Sequence, residues 1–357
     1  MSATPKEKND ATGPVFNQLS VDNPVSPRFK FAILILLCCQ NAGHALLARY
    51  SQGILKEQYS STEVVLVGEV MKLVISGYLT LTDRAETDAV GTGTGKLFWL
   101  VLNAKKIVVL VILYSIANIT SYYALARVDA SVYTVLLQLK IFTTAAFGVI
   151  LLGRRYSSTK WRALVLLVLG CVLVASPTYN RPVDCDAVND KKAGGGGSDD
   201  EKVGYIGQLL GVCSVLAMVA ISGYSAIYFE AMLKKSGEKI TIWERNFQLA
   251  FYSIVLLIGL VIAESTQLSG TSKYAILNGW TFNTWLIAII QAAGGLLVAA
   301  TLKYADAVLK TLATSGAIVL SAVLGWFLLG GTLDIFITVG CVATILAIFN
   351  YILDDQS

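Results

Sequence analysis

The stretch DASVYTVLLQLKIFTTAAFGVILLG, residues 129–153, carries a lysine, Lys140, near the middle of an otherwise apolar run. A run of this length can cross the ~30 Å hydrocarbon core of a bilayer as a helix. A lysine at the centre of such a helix costs about 2.5–3.5 kcal/mol, and it is too far from either interface to reach water. We therefore expect Lys140 to face a partner, a cavity or an anionic ligand.

A second stretch of the chain repeats this pattern. Residues 306–330, DAVLKTLATSGAIVLSAVLGWFLLG, align with the first stretch without a gap and are identical at nine of 25 positions. Both stretches begin with Asp-Ala and end with Leu-Leu-Gly, and the alignment places Lys310 opposite Tyr133. The repeat predicts that the chain is an internal duplication.

The whole chain has the composition of a polytopic membrane protein. Of its 357 residues, 55% are hydrophobic and only 15% are charged, which is too few charges for the surface of a soluble protein of this size. Apolar runs predict an all-α fold with ten transmembrane helices. They lie at residues 29–49, 62–82, 103–126, 130–152, 160–176, 204–233, 244–264, 281–303, 307–329 and 333–353.

Polar segments divide these helices into two halves. We expect a disordered tail at residues 1–28 and a short second tail at residues 354–357. We expect a flexible linker at residues 177–203, which contain the sequence GGGGSDDEK. We expect residues 29–176 and 204–353 to be two repeats of five helices each. Because five is an odd number, the second repeat begins on the opposite side of the membrane and is inverted relative to the first. Such inverted repeats are typical of alternating-access carriers, which hold substrate near the midplane. All six prolines lie outside the ten runs, so we expect no broken helices.

The distribution of basic residues predicts the orientation in the membrane. If the N-terminus is cytosolic, the cytosolic segments hold about 17 of the 28 lysines and arginines, and the opposite loops about eight. The positive-inside rule therefore places both termini in the cytosol and the central linker on the other side.

Several functional classes are not supported by the residue pattern. His44 is the sole histidine, and the six cysteines form no metal-ligand spacing, so we expect no metal and no cofactor. No Ser/His/Asp or paired-carboxylate constellation converges, so we expect no enzyme. Nothing indicates a nucleic-acid partner, and no oligomeric state is predicted.

Charged and polar side chains inside the predicted helices are the candidate site residues. Glu69 and Lys72 stand three residues apart on the second helix, as a cavity charge pair or as a self-neutralising structural pair. Tyr114 and Asn118 belong to a polar stripe on the third helix, and Asn246 opens the seventh.

The two lysines of the repeated stretches suggest the ligand. Tyr133 and Lys140 share a face of the fourth helix, and Lys310 opens the ninth. Alternatively, Lys310 is an interfacial lysine that reaches the cytosolic headgroups. Two lysines from opposite halves suit a dianionic or diphosphate group, which would offset the cost of burying them.

At these residues the chain resembles the nucleotide-sugar transporters, in the branch that carries UDP-galactose, UDP-N-acetylglucosamine and CMP-sialic acid. The similarity spans essentially all ten predicted helices. Its most specific segments are QNAGHALLARYS (40–51), GEVMKL (68–73), ALARVDASVYTVLLQLKIFTTAAF (124–147), YFEAMLK (228–234), WERNFQLAF (243–251) and GGLLVAATLKYADAVLKTLATS (294–315).

The resemblance implies a ten-helix drug/metabolite-transporter fold in the Golgi or endoplasmic reticulum membrane. It implies exchange of a cytosolic nucleotide sugar for a lumenal nucleoside monophosphate. By position, Lys140 and Lys310 resemble the phosphate-contacting lysines of the family, and Glu69 and Lys72 its helix-2 charge pair. The positions that match nucleotide contacts of the family are Tyr114, Asn118, Tyr133 and Asn246.

The chain departs from the family pattern where the sugar would be recognised. Ala307, Thr311 and Leu312 stand where relatives have Asn, Gly and Phe, and Ala250 stands where the sialic-acid branch has tyrosine. We expect a UDP-sugar, with UDP-galactose ahead of UDP-N-acetylglucosamine and CMP-sialic acid as an alternative. Two rival classes are a proton-coupled exporter of small metabolites, with Glu69 as its carboxylate, and a non-transporting scaffold.

Overall fold

The computed structural model describes residues 26–82, 94–125, 127–175, 198–234, 240–268, 277–330 and 333–354. Within these ranges the regular structure is helical. In chain order the helices are α1 (Pro27–Arg49), α2 (Ser61–Thr82), α3 (Thr94–Leu102), α4 (Lys105–Leu125), α5 (Ala130–Leu137), α6 (Lys140–Leu152), α7 (Ser158–Ala175), α8 (Ser198–Lys234), α9 (Ile242–Leu268), α10 (Phe282–Tyr304), α11 (Ala307–Leu329) and α12 (Ile335–Leu353). A π-helical turn, Tyr50–Ile54, extends α1.

Ten helical segments in the described part of the chain are long and apolar enough to cross a membrane, which confirms the predicted number. The helices α5 and α6 together form one of these segments. The short helix α3 was not anticipated, and it precedes the span formed by α4. Its Lys96 and Leu100 are buried while Phe98 and Leu102 are exposed, so α3 is attached to the bundle along one face.

One span contains an irregular turn that the absence of prolines did not predict. The fourth span is interrupted between α5 and α6, at Gln138 and Leu139, where no proline or glycine occurs. The backbone there forms i to i−3 hydrogen bonds, such as that from the Ile141 amide to the Gln138 carbonyl at 3.1 Å. A tighter 3₁₀ turn of this kind inside a helix often marks a functional position. It lies directly before Lys140.

Three predicted boundaries also differ from the observed helices. Helix α8 begins at Ser198, so the last residues of the predicted linker 177–203 are helical. Helix α9 continues to Leu268, beyond the predicted end at 264, and α1 begins at Pro27, inside the predicted tail. Most of the predicted tail and linker, residues 1–25 and 176–197, lies outside the described residues.

The packing of the helices has the symmetry that a two-fold repeat would produce. Helix α1 packs on α10 and α11, and its counterpart five spans later, α8, packs on α4 and α6. Two further large contacts pair a helix with its own counterpart, α2 with α9 and α7 with α12, and α2 also packs on α10. The repeated stretches also end alike: Gly153 and Gly330 have φ of 63° and 65°, and their amides donate to the Gly148 and Gly325 carbonyls. Glycine adopts this left-handed cap without steric cost.

Candidate functional site

Lys140 and Lys310 come together between the two repeated stretches. Lys140 is the first residue of α6, and Lys310 lies in the first turn of α11, where its amide donates to the Asp306 carbonyl at 3.0 Å. The ammonium group of Lys310 lies near enough to Lys140 to be affected by its charge. Within the described residues, neither ammonium group has a carboxylate or a hydrogen-bond partner. The pair is an uncompensated positive centre.

Both lysines are largely enclosed by protein without being fully buried. Each side chain is surrounded by protein, and each nevertheless keeps part of its surface accessible. A charged group in such a position retains contact with water or a ligand, whereas an isolated buried charge would be very costly. The alternative that Lys310 reaches the cytosolic headgroups is therefore disfavoured, since its side chain lies deep in the protein beside Lys140.

Helix α8 fixes the position of Lys140. The Thr143 hydroxyl, one turn further along α6, hydrogen bonds to the carbonyls of Lys140 at 3.1 Å and Val219 of α8 at 3.2 Å. A methyl group at Gly223 of α8 would lie 2.5 Å from the Thr143 hydroxyl, so only glycine permits this approach. Close helix contacts through small residues are common in membrane proteins.

Tyr133, the repeat counterpart of Lys310, is held against α4. Its hydroxyl lies 2.5 Å from the Ser121 hydroxyl of α4. Its amide donates to the Asp129 carbonyl at 2.9 Å, as the Lys310 amide does to Asp306. This contact attaches the start of the fourth span to the helix that carries Tyr114 and Asn118.

Asn118 lies on the inner side of α4. At 100° per residue it is about 130° around the helix from the mean direction of the exposed isoleucines 112, 116 and 119. Val111, two turns earlier on nearly the same line, is buried, yet Asn118 itself is exposed. The Asn118 amide is therefore accessible to a ligand. Tyr114, on the same face, is partly buried and packs against the cluster formed by α4, α8, α9 and α10.

Asn246 presents an unpaired acceptor in the protein interior. Its side chain is fully buried, and its amide nitrogen donates to the Ile242 carbonyl at 3.0 Å. Its side-chain oxygen has no hydrogen-bond partner within the described residues. A buried polar atom without a partner costs roughly 1–3 kcal/mol, so it is a candidate for contact with water or a ligand.

Glu69 and Lys72 form an ion pair on α2. Both carboxylate oxygens of Glu69 lie 2.7 Å from the Lys72 ammonium nitrogen, and Oε1 accepts a well-directed hydrogen bond. Lys72 is buried against α10, where a methyl group at Gly295 would lie 3.2 Å from its nitrogen. No hydrogen bond or ion pair in the described ranges joins this pair, or Asn246, to Lys140 or Lys310. The pair neutralises itself at the contact between α2 and α10.

Three buried carboxylates outside the predicted site organise the ends of the helices. Glu230 of α8 accepts hydrogen bonds from Arg154, from Lys234 at 2.7 Å and from the Ala307 amide at 3.0 Å. The sequence contained a signal for this residue, because a glutamate inside the apolar run 204–233 must be paired.

The other two carboxylates, Glu63 and Glu244, are counterparts in the repeat. Glu63 of α2 accepts from the Leu277 amide and the Trp280 indole, each at 3.2 Å, just before α10. Glu244 of α9 pairs with Lys96 of α3, at 2.7 Å, just before α4. A shift of 181 residues relates Glu63 to Glu244 and also relates Lys96 to Leu277, so the two contacts occupy corresponding positions in the two halves.

Within the described ranges, no group of three or more His, Cys, Asp or Glu side chains is placed to hold a metal ion. The candidate residues offer two lysine ammonium groups, tyrosine hydroxyls and asparagine amides. These groups bind anions and donate or accept hydrogen bonds, the chemistry needed for a phosphorylated polar ligand.

Comparison with known proteins finds a family and several relatives. A family model described as nucleotide-sugar transporter matches residues 25–352. The chain is 33% identical over 345 residues to the UDP-N-acetylglucosamine/UDP-N-acetylgalactosamine transporter nstp-4 of Caenorhabditis elegans, a match that covers 92% of this chain and 95% of the relative. It is 32% identical over 340 residues to the UDP-N-acetylglucosamine transporter of Rattus norvegicus, covering 93% and 98%. It is 32% identical over 338 residues to the UDP-galactose translocator of Homo sapiens, covering 91% and 77%.

The fold also has a counterpart among solved structures. One crystal structure superposes with a TM-score of 0.59 at 13% sequence identity, covering 91% of this chain and 98% of that chain. At this identity the likeness concerns the fold alone.

Proposed function

This chain belongs to the nucleotide-sugar transporter family, and we propose that it exchanges a cytosolic UDP-sugar for a lumenal nucleoside monophosphate by alternating access. Its relatives are transporters or translocators, so the chain is a transporter and not an enzyme. In this proposal the protein spans the Golgi membrane, or that of the endoplasmic reticulum, with both termini in the cytosol. The two halves, residues 29–176 and 204–353, move against each other around a central site.

The uncompensated pair of Lys140 and Lys310 is the observation that carries this proposal. Two ammonium groups with no carboxylate partner in the described chain suit a diphosphate, which brings the opposite charge to both. Asn118 is exposed on α4, and Tyr133 is hydrogen-bonded to Ser121 of that helix. We assign contacts with the base and sugar to Tyr114, Asn118, Tyr133 and Asn246.

The same charges favour exchange over one-way transport. An empty carrier would have to change conformation with two unpaired positive charges enclosed between its halves, which is costly in a low-dielectric interior. A nucleoside monophosphate neutralises them on the return step. The proton-coupled alternative would need a free carboxylate at Glu69, and that carboxylate is held by Lys72 at 2.7 Å.

The relatives support a UDP-sugar as the substrate. Their names give UDP-N-acetylglucosamine, UDP-N-acetylgalactosamine and UDP-galactose. We propose UDP-galactose and UDP-N-acetylglucosamine as the candidates, with the lysine pair binding the diphosphate common to both. Competition by unlabelled UDP-galactose, UDP-N-acetylglucosamine and CMP-sialic acid against a labelled UDP-sugar ranks them.

Efflux from proteoliposomes tests the exchange. Vesicles with purified protein are loaded with labelled UMP, and efflux is measured with and without external UDP-sugar. We expect external UDP-sugar to accelerate efflux strongly, and protein-free vesicles to show no effect. UMP efflux that is unchanged by external UDP-sugar would contradict the proposed exchange.

A further inference from the structure

Glu230 is the most highly connected buried carboxylate in the described chain. It is 0% exposed, and it binds Arg154 at the end of the fourth span and Lys234 one turn further along α8. Its second oxygen accepts from the Ala307 amide at 3.0 Å, at the start of α11. Lys234 also donates to the Ala305 carbonyl at the end of α10. One carboxylate thus connects the ends of four spans.

These contacts cross between two groups of helices. By the strongest packing contacts, α4 and α6 belong with α8, whereas α10 and α11 belong with α1. Glu230, Lys234 and Arg154 lie in the first group, and the Ala305 and Ala307 backbone atoms lie in the second. Ala307 is also three residues before Lys310, so the network fixes the beginning of the helix that carries one of the two central lysines.

Two acidic side chains near Arg154 stabilise its positive charge. Burial alone would lower the pKa of Arg154, but Asp306 and Glu230 outweigh that effect and raise the pKa above its ordinary value. Arg154 therefore stays positive, and Asp306 adds a further attraction between the two groups of helices. This end of the molecule is closed by charge as well as by packing.

Within the described residues, the opposite end has no counterpart of this network. Ile227 lies near Gly148, and Leu46 lies near Gly325 in the equivalent place. The shift of 181 residues that relates Leu46 to Ile227 also places Arg49 opposite Glu230. Arg49 is exposed, and its side chain forms no ion pair or hydrogen bond with the described residues, whereas Glu230 is fully buried and paired with Arg154 and Lys234. The described contacts at the two ends therefore differ.

We propose that Glu230 is a positioning residue for transport: its bonds to Arg154, Lys234 and Ala307 close one end of the central site, and they break when the site opens to that side. The inference rests on the proposed exchange function. By the orientation proposed above, the closed end faces the cytosol. The carboxylate does not contact substrate in this scheme, and it acts by setting the balance between the two access states.

The test measures the Michaelis constant of the Glu230→Gln variant from each side of the membrane. Glutamine keeps an acceptor for the Ala307 amide but leaves Arg154 and Lys234 without their counter-charge. The cytosol-closed state is then less populated, and a ligand's apparent affinity follows the population of the state that binds it. We expect the KM for cytosolic UDP-sugar to fall and the KM for lumenal UMP to rise, each by at least about threefold.

Two further variants make the result decisive. Lys234→Met, which removes the bonds to Glu230 and to the Ala305 carbonyl, must move both constants in the same directions. Glu244→Gln, which breaks the 2.7 Å ion pair between α9 and Lys96 of α3 and removes no contact of Glu230, must leave both constants unchanged. The inference is overturned if both KM values of Glu230→Gln equal the wild-type values. It is also overturned if the two KM values change in the same direction, as a general loss of fold would cause. An absence of exchange in the wild-type protein would overturn the proposed function instead.

Discussion

Lys140 is the first residue of α6, and Lys310 lies in the first turn of α11. The two side chains are close enough for their positive charges to interact. They come from different halves of a duplicated chain, and they do not occupy equivalent positions in the repeat. Lys310 is the counterpart of Tyr133, and Lys140 is the counterpart of Ala317. The positive centre is therefore asymmetric, although the packing around it is close to two-fold.

Removal of either central lysine should strongly reduce exchange. A hydrogen bond to a charged group contributes about 1.5–3 kcal/mol, so we expect Lys140→Gln or Lys310→Gln to lower the UDP-sugar/UMP exchange rate by about 10- to 100-fold at subsaturating substrate. Lys303→Gln, near the end of α10, is a matched control that should retain wild-type exchange. Exchange at the wild-type rate in both central variants, with correct insertion, would exclude the phosphate assignment.

The same substitutions should stabilise the ligand-free protein. Because the two lysines repel each other and have no described counter-charge, replacing Lys310 by glutamine removes an unfavourable interaction. We expect the melting temperature of the purified ligand-free protein to rise by a few degrees, and the additional rise caused by UMP to shrink. A lower melting temperature of the ligand-free Lys310→Gln variant would indicate that Lys310 stabilises the fold, and it would argue against a ligand-binding role for the lysine pair.

The Glu69–Lys72 pair should behave as a structural unit. Removing one partner of a buried ion pair leaves an uncompensated charge and typically costs about 3–5 kcal/mol. We expect Glu69→Gln and Lys72→Met each to lower the melting temperature clearly, and the double variant to recover most of the loss. A purely additive double variant would argue against direct coupling. Dependence of uptake on an imposed pH gradient, lost in Glu69→Gln, would instead favour the proton-coupled exporter.

Glu57 should contribute to stability in a pH-dependent way. Hydrogen bonds from Ser51 foremost, and also from Asn283 and Thr281, lower the pKa of Glu57 below its ordinary value of 4.5. A lowered pKa means that the stabilisation is present above the ordinary pKa and is lost as the pH falls through the folded-state value. We expect the melting temperature of the wild-type protein to exceed that of Glu57→Gln at pH 7, and the difference to shrink as the pH falls below the ordinary pKa of 4.5. A difference that persists at low pH would show that the ionised form is not responsible.

Much of the fold followed from the sequence because its signals are strong. Ten apolar runs with few charges predict ten spans, and the two repeated stretches that share a Leu-Leu-Gly ending have equivalent glycine caps in the structure. The interruption before Lys140 could not be predicted, because Gln138 and Leu139 are ordinary helix residues and the 3₁₀ turn there depends on tertiary packing. The partners of Glu230 were equally hidden, since Arg154 and Ala307 are distant in the chain and only the folded bundle joins them.

The candidate site was predictable to the extent that burial of charge is costly. The cost of burying charge identified Lys140, Lys310, Glu69 and Lys72 in the sequence as candidates. It did not show which of these residues neutralise each other and which lack a partner. The structure separates them, because Glu69 neutralises Lys72 while the other two lysines have no such partner among the described residues. The division assigns structure to one pair and ligand binding to the other.

The most direct test of the account compares UMP with uridine as ligands of the wild-type protein and of the Lys140→Gln/Lys310→Gln double variant. Equilibrium binding of both ligands to the purified proteins isolates the contribution of the phosphate. We predict that the wild-type protein prefers UMP by at least about tenfold, and that the double variant binds UMP and uridine with nearly equal affinity. An undiminished preference for UMP in the double variant would place the phosphate elsewhere and contradict the account.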